Sequence, residues 1–254
     1  MRFSKKLLNF LNSLVTIIIT LTLCIIGAYS GYALWDNKHI YDSVDDIQIE
    51  LQKIKPSVSA DGDNSESFEE LRLINPDVCA WLTLYGTNID YPILQGKNNL
   101  SYINTDVYGN FALAGSLFLD TRNSSTFDDS FSLIYGHHMD EHKMFGDLDF
   151  YSDRSFFENN STGVLILPDK IYSLDVIATL EVPSSEPVVF DPEQSGEDIS
   201  ELLNYMENNA VLIHNDTLNK AKSDSNVQLL ALSTCSSEFS EARTVVIALM
   251  KPFI

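Results

Sequence analysis

Cys235 closes an apolar run, Val227-Gln228-Leu229-Leu230-Ala231-Leu232-Ser233-Thr234-Cys235, and Arg243 opens the next one, Thr244-Val245-Val246-Ile247-Ala248-Leu249. Both runs have strand character, being short, apolar and rich in branched residues. A thiol at one strand end, with a guanidinium entering the next strand, is a layout for an activated nucleophile. The thiolate is the reactive form, and a neighbouring cation or imidazole favours it. Upstream, Phe131-Ser132-Leu133-Ile134 reads as a third strand and runs into Tyr135-Gly136-His137-His138, which supplies candidate bases. Glycine at 136 allows an unusual backbone turn that aims a ring at the site. Adjacent strand residues point apart, so one of the two histidines faces the thiol. Of the others, His39 is remote from this region. His142 sits in a polar, exposed stretch, and His214 behind Val211-Leu212-Ile213 reads as structural.

These residues need a frame of strands. Runs at Ala80–Tyr85, Ile89–Leu94, Ser116–Leu119, Phe131–Tyr135, Val164–Leu167, Ile171–Leu180, Val227–Ser233 and Thr244–Met250 are separated by turn residues. Eight short strands of this kind predict a closed or nearly closed barrel. Two helices interrupt it, one around Met144–Phe150 and one at Asp198–Asn208, where Ile199, Leu202, Leu203 and Met206 share a face. The spacing of Val44, Ile47, Leu51 and Ile54 predicts a helix over 36–56, opened by a capping box at Ser43 and Asp46. A break at 56–65 follows, and a second capping box, Ser67-Phe68-Glu69-Glu70, starts a short helix that stops before Pro76.

The N-terminal 35 residues bear on compartment. Arg2, Lys5 and Lys6 precede a run without charges from Leu7 to Trp35. About 20 apolar residues in a helix span a bilayer core. The positive-inside rule puts the N-terminus in the cytoplasm and the rest outside. Cleavage after Ala28-Tyr29-Ser30 is the alternative, but a signal core is usually only about 7–15 residues. The expected organisation is a tip and transmembrane anchor over 1–35, a juxtamembrane helix and linker over 36–66, and a catalytic domain over 67–254.

All 36 acidic side chains follow the span, against 13 Lys and Arg. Such a surface keeps an exported domain soluble and excludes nucleic acid, which wants a basic footprint. Cys24 lies in the span. Cys79 reads as a buried structural thiol, with a Cys79–Cys235 disulfide as the alternative in an oxidising compartment. No Cys/His spacing suggests zinc, and no glycine loop suggests a phosphate. No cofactor and no metal are expected.

Leu232-Ser233-Thr234-Cys235 with Arg243, Tyr135-Gly136-His137 and Met144-Phe145-Gly146-Asp147-Leu148 resembles a class B sortase, a membrane-anchored cysteine transpeptidase of Gram-positive bacteria. The likeness covers about residues 70–254 and extends to Asn75–Leu82, Gly86–Ile93 and Ala114–Asp120. Ala231 stands where the family's T-L-x-T-C signature has its first Thr. The helix Asp198–Asn208 is similar to the extra helix of class B members. The resemblance implies a mostly β fold with flanking helices, an eight-stranded barrel preceded by one transmembrane helix. It implies Cys235 as nucleophile, His137 as acid/base and Arg243 as oxyanion stabiliser, with Ser233 and Thr234 against substrate. Asp120 and Glu238 are possible orienting residues.

The implied reaction cleaves a C-terminal sorting signal, of the N-P-x-T-x kind or a variant, after its Thr. The thioacyl enzyme then passes the protein to an amine of the peptidoglycan cross-bridge. A pilus polymerase using a pilin lysine is the alternative within the family, with the choice set by loops such as Pro183–Gly196. A degenerate, non-catalytic surface module is the alternative outside it. A papain-like protease fits poorly, because there the His follows the Cys, and here it precedes it.

Overall fold

In the computed structural model of the chain, the backbone is described for residues 2–58, 63–235 and 242–253, and side chains for 5–58, 63–234 and 242–253. The chain divides into two units, Met1–Asp45 and Asp46–Ile254.

The first unit is helix, part of α1 (Arg2–Gln52). Its apolar residues 7–35 are exposed throughout, and the helix is long and apolar enough to cross a membrane. Its hydroxyls are satisfied internally: Thr16 Oγ1 donates to Asn12 O (2.9 Å), Thr20 to Thr16 O (2.8 Å) and Thr22 to Ile18 O (2.9 Å). Back-bonding of this kind pairs a hydroxyl within its own helix. No cap forms at Ser43. The helix is continuous there, and Ser43 Oγ donates back to Ile40 O (2.7 Å).

The second unit contains α2 (Ser65–Ile74), β1 (Val78–Leu84), β2 (Asp90–Leu94), β3 (Phe118–Leu119), β4 (Phe131–Met139) and β5 (Lys143–Met144). A 3-10 helix (Gly146–Ser152) and α3 (Arg154–Asn159) lead to β6 (Thr162–Ile166) and β7 (Ile171–Pro183). Then come α4 (Pro187–Phe190), α5 (Pro192–Glu197), α6 (Ile199–Asn209), β8 (Leu212–Ile213), α7 (Asn215–Ser223), β9 (Gln228–Cys235) and β10 (Ala242–Pro252). The hydrogen-bonded order β10-β9-β4-β3-β2-β1-β6-β7 returns to β10 through a β10–β7 pairing, so eight strands close into a barrel. Closure leaves no open edge. β5 and β8 pair outside the ring, on β4 and β7.

The core runs through inward side chains such as Trp81, Phe131, Ile166, Ile177, Leu229, Ala231, Val245 and Ile247. β1 is buried along its whole length, and α2 packs against it with Phe68 and Leu71. α6 and α7 lie against β7. Leu202, Leu203 and Met206 of α6 are buried, and truncating one such residue to Ala costs about 2–5 kcal/mol. The end of α1 is fixed through Asp90. Gln52 Nε2 and Lys55 Nζ donate to Oδ2 (2.7 Å each), and Trp81 Nε1 (2.6 Å) and Thr83 Oγ1 (2.8 Å) donate to Oδ1. Burial alone would raise the Asp90 carboxyl, but these donors outweigh it and hold the carboxyl below its usual range.

Several local expectations are corrected. α2 begins at Ser65, with Asn64 at its N-cap position and no side-chain cap bond. Asp63 accepts from Ser65 N and Oγ and sets that earlier start, so Ser67 is inside the helix. α1 stops at Gln52 rather than 56. The helix expected from Met144 is delayed to Gly146 and has 3-10 form. Met144 is in β5 with φ 50°, after further left-handed backbone at Glu141 and His142. The stretch 183–196, expected as a loop, carries α4 and α5, each with Pro at its start behind the acidic N-caps Glu186 and Asp191.

Candidate active site

β4 and β9 run parallel, with register Phe131↔Leu229 through Tyr135↔Ser233 to His137↔Cys235. Parallel pairing puts the C-terminal ends of both strands on the same rim, and the histidine and cysteine backbones are partners there. β10 pairs antiparallel with β9 on its far side, Val245 opposite Ser233, so its N-terminal end with Arg243 reaches the same rim. Three strands converge on one place, which brings together the residues singled out by type and spacing.

A cavity of about 560 Å³ opens at this rim, lined by His137, Arg243, Tyr135, Phe118, Phe190, Ile103 and Asn99 among others. His137 Nε2 lies 2.7 Å from the carbonyl oxygen of Ile103. A carbonyl only accepts, so Nε2 carries hydrogen, and the other ring nitrogen, Nδ1, is left for proton exchange. Glycine makes this anchor possible. At Gly115 (φ 58°) a Cβ would fall 2.2 Å from Ile103 O, in a conformation that L side chains rarely adopt.

Gly136 has another role than the one expected. Its backbone is not left-handed. A Cβ there would meet Leu117 Cδ2 at 2.2 Å and Phe145 Cδ2 at 2.8 Å. Glycine lets β4 pass under these side chains and carry His137 to the rim.

His138 does not line the cavity. Its Nε2 pairs with Asp149 Oδ2 at 2.7 Å, and Asp149 also accepts from Thr244 Oγ1 (3.1 Å). His142 is exposed but pairs with the buried Asp147 (2.7 Å), whose other oxygen accepts from Asn88 N (2.7 Å). His214 is structural, stacked on Phe157 with ring centroids 4.0 Å apart and Nδ1 2.9 Å from Val176 O.

Arg243 is half-buried. Its Nε is buried and finds no acceptor among the described residues, and its Cζ sits 5.3 Å from the centre of the Phe190 ring. No carboxylate among the described residues pairs with this cation. An aromatic face holds it by cation–π attraction. Ser233 and Thr234 are buried and are not among the cavity's lining residues, and Ser233 Oγ donates to Thr234 O (3.2 Å). Cys79 is free and buried, with Sγ 3.4 Å from Ile93 O, and burial pushes its thiol up to about 12.

Asp120 does not orient His137. It is fully buried and binds Arg122, Asn99 and Tyr135 instead. Glu238 and the Cys235 side chain lie outside the described residues. Sequence reasoning missed Asn99, Ile103 and Phe190 as cavity walls. Only Phe190 carried a local signal, since it precedes the Asp191-Pro192 helix start.

No family model matches the chain. It is 31% identical over 185 residues to sortase B of Staphylococcus aureus, covering 71% of this chain and 73% of that one. Among solved structures it resembles Spy0129 of Streptococcus pyogenes, described as a class B sortase involved in pilus biogenesis. That match has 35% identity and TM-score 0.64, and covers 72% and 97% of the two chains. It also resembles the S. aureus sortase B–substrate complex, at 25% identity and TM-score 0.71, covering 86% and 99%. The barrel, the rim where three strands meet, and these likenesses converge: the chain belongs to the class B sortases, a family of cysteine transpeptidases.

Proposed function

We propose that this sortase cleaves a C-terminal sorting signal of secreted proteins after its Thr and transfers the protein to an amine of the peptidoglycan cross-bridge. The observation that carries the reading is the juxtaposition of His137, Arg243 and the backbone of Cys235 on one rim.

Cys235 attacks the Thr carbonyl as thiolate, and the carbonyl pair moves onto oxygen. Arg243, whose Nε finds no acceptor among the described residues, donates to that oxyanion, a contribution typically of about 10²–10³ in rate. His137 gives its proton to the departing amine as the C–N bond breaks, leaving a thioacyl enzyme. The acceptor amine then attacks the thioester, His137 takes the proton back, and the thiolate leaves as the new amide forms. No cofactor enters. Ser233 and Thr234, the proposed substrate contacts, precede Cys235 on β9 and are buried.

The region up to Trp35 anchors the enzyme in the cell membrane, N-terminus inside, with the segment 36–66 as spacer and the barrel outside. The charge order around the exposed apolar helix supports this orientation.

The likeness to Spy0129 favours a second reading, a pilus polymerase in which a pilin lysine resolves the thioacyl enzyme. One experiment tests both. The full chain in detergent is incubated with a panel of sorting peptides and then with oligoglycine, diaminopimelate or pilin-lysine amines, and followed by intact mass. A Cys235 adduct resolved by a cell-wall amine supports the first reading, and one resolved by the lysine supports the second. A folded protein that forms no adduct refutes both.

A further inference from the structure

Beneath the cavity lies a polar network that the reaction above does not use. Asp120 is fully buried at the end of β3. Arg122 grips it with two parallel bonds, Nε to Oδ1 and Nη2 to Oδ2 (2.9 Å each), while Arg122 N also donates to Oδ1 (2.9 Å). Asp120 Oδ2 further accepts from Asn99 Nδ2 (2.9 Å) and Tyr135 Oη (3.2 Å). The guanidinium then reaches outward, Nη2 to Phe190 O (2.8 Å) and Nη1 to Asp191 Oδ1 (3.3 Å). Asn99, Tyr135 and Phe190 are all cavity walls, and they come from three separate segments. Phe190 is also the ring on which the Arg243 guanidinium rests.

We propose that Asp120 and Arg122 are positioning residues. Asp120 holds the Asn99 and Tyr135 walls together, and the outer arm of Arg122 holds Phe190 under Arg243 and so sets where the oxyanion donor stands.

Three features support this. A planar fork matched to a carboxylate is the most geometrically defined ion pair available to a protein. The pair is strongly committed: burial would raise the Asp120 carboxyl, but Arg122 outweighs it and holds it low, and Asp120 in turn raises Arg122. The segment it holds is short. α4 has four residues, and a single turn carries little rigidity of its own. Without the arm to Phe190 O, α4 keeps its buried Val188 and Val189 and the bond from Ser195 Oγ to Val188 O (2.7 Å).

The inference rests on the proposed role of Arg243, so its test carries one readout that needs no turnover. Arg122→Lys in the full chain, in detergent, keeps a cation against Asp120 and removes the fork that reaches Phe190 and Asp191. Hydrogen exchange over 187–192 is expected to quicken at least several-fold. The thioacylation rate is expected to fall about 10-fold, with KM for the sorting peptide within about twofold, as for a misplaced donor. Phe190→Leu is expected to reproduce the rate loss without the faster exchange over 187–192. Asp120→Asn, isosteric, is expected to raise KM as the Asn99 and Tyr135 walls part.

A lowered melting temperature with unchanged exchange, rate and KM in folded Arg122→Lys reduces the pair to a structural role and overturns the inference. A wild-type chain that forms no thioacyl adduct refutes the proposed function instead, while the exchange readout still decides whether the brace exists.

Discussion

His137 and Cys235 are register partners across the parallel pair β4 and β9, the last pair that these two strands make with each other. The relationship is one of backbone, so it survives truncation of either side chain. Cys235→Ala is therefore expected to abolish turnover with a melting temperature close to wild type. Arg243→Ala is expected to lower kcat by about 10²–10³, as for loss of one oxyanion donor. Product formation by chromatography, beside thermal melts, checks both. Full activity in either variant sinks the assignment.

Gly136→Ala would put a methyl into Leu117 and the Phe145 ring. Overpacking at such a site typically costs about 1–3 kcal/mol. Because the clash sits one residue before His137, kcat is expected to fall further than stability does. Denaturant midpoints and steady-state rates on the same preparation separate the two effects.

Gly115→Ala meets backbone rather than side chain, at Ile103 O, and at a positive φ. The carbonyl that anchors the His137 Nε2–H must move. The expected result is loss of most of the activity together with a destabilisation of about 1–3 kcal/mol. Normal kinetics in this variant would show that the Ile103 anchor is dispensable.

The Asp90 carboxyl is held below its usual value by Lys55, Trp81, Gln52 and Thr83 against the opposing effect of burial. A group whose folded value is depressed stabilises the protein above its unfolded pKa, near 3.9 for Asp, and the stabilisation disappears as pH falls through the folded value. Asp90→Asn is expected to lose about 1–3 kcal/mol at neutral pH. Its stability should also fall less steeply than wild type below pH 4. Urea midpoints between pH 3 and 7 test it, and parallel acid limbs would remove Asp90 from the account.

Burial pushes the Cys79 thiol up to about 12. At pH 8 it is essentially all thiol, the unreactive form. Iodoacetamide on the folded chain is expected to leave Cys79 untouched while Cys235 reacts, and to reach Cys79 only after denaturation. Peptide mapping reads both sites, and equal labelling in the folded state contradicts the burial argument.

The placement of the candidate site was legible because it rests near strand ends. Apolar runs marked β4, β9 and β10, and period-two alternation put one histidine of the pair on the cavity side. Residues such as Asn99, Ile103 and Phe190 were not legible, since they reach the cavity through loops and short helices with no periodicity. β5 and β8, at two residues each, are too short to show a pattern. α7 is mostly polar and buries only Leu218 and Ala221, which hid it. The capping boxes at Ser43 and Ser67 misled because a continuous helix and an upstream Asp63 took over their function. Gly136 was singled out for the right position and the wrong reason: volume, not backbone angle, demands it.

The β4–β9 pairing joins residues 98 positions apart, more than any other seam of the barrel. Long-range seams close late in folding, because their loop entropy is paid before their contacts form. The proposed reactive pair is therefore brought together by the longest-range contact in the barrel. In a partly folded molecule without this seam, His137 and Cys235 are not yet register partners. On the proposed function, competence arrives with completion of the barrel, so the fold itself acts as a safety catch on the proposed nucleophile.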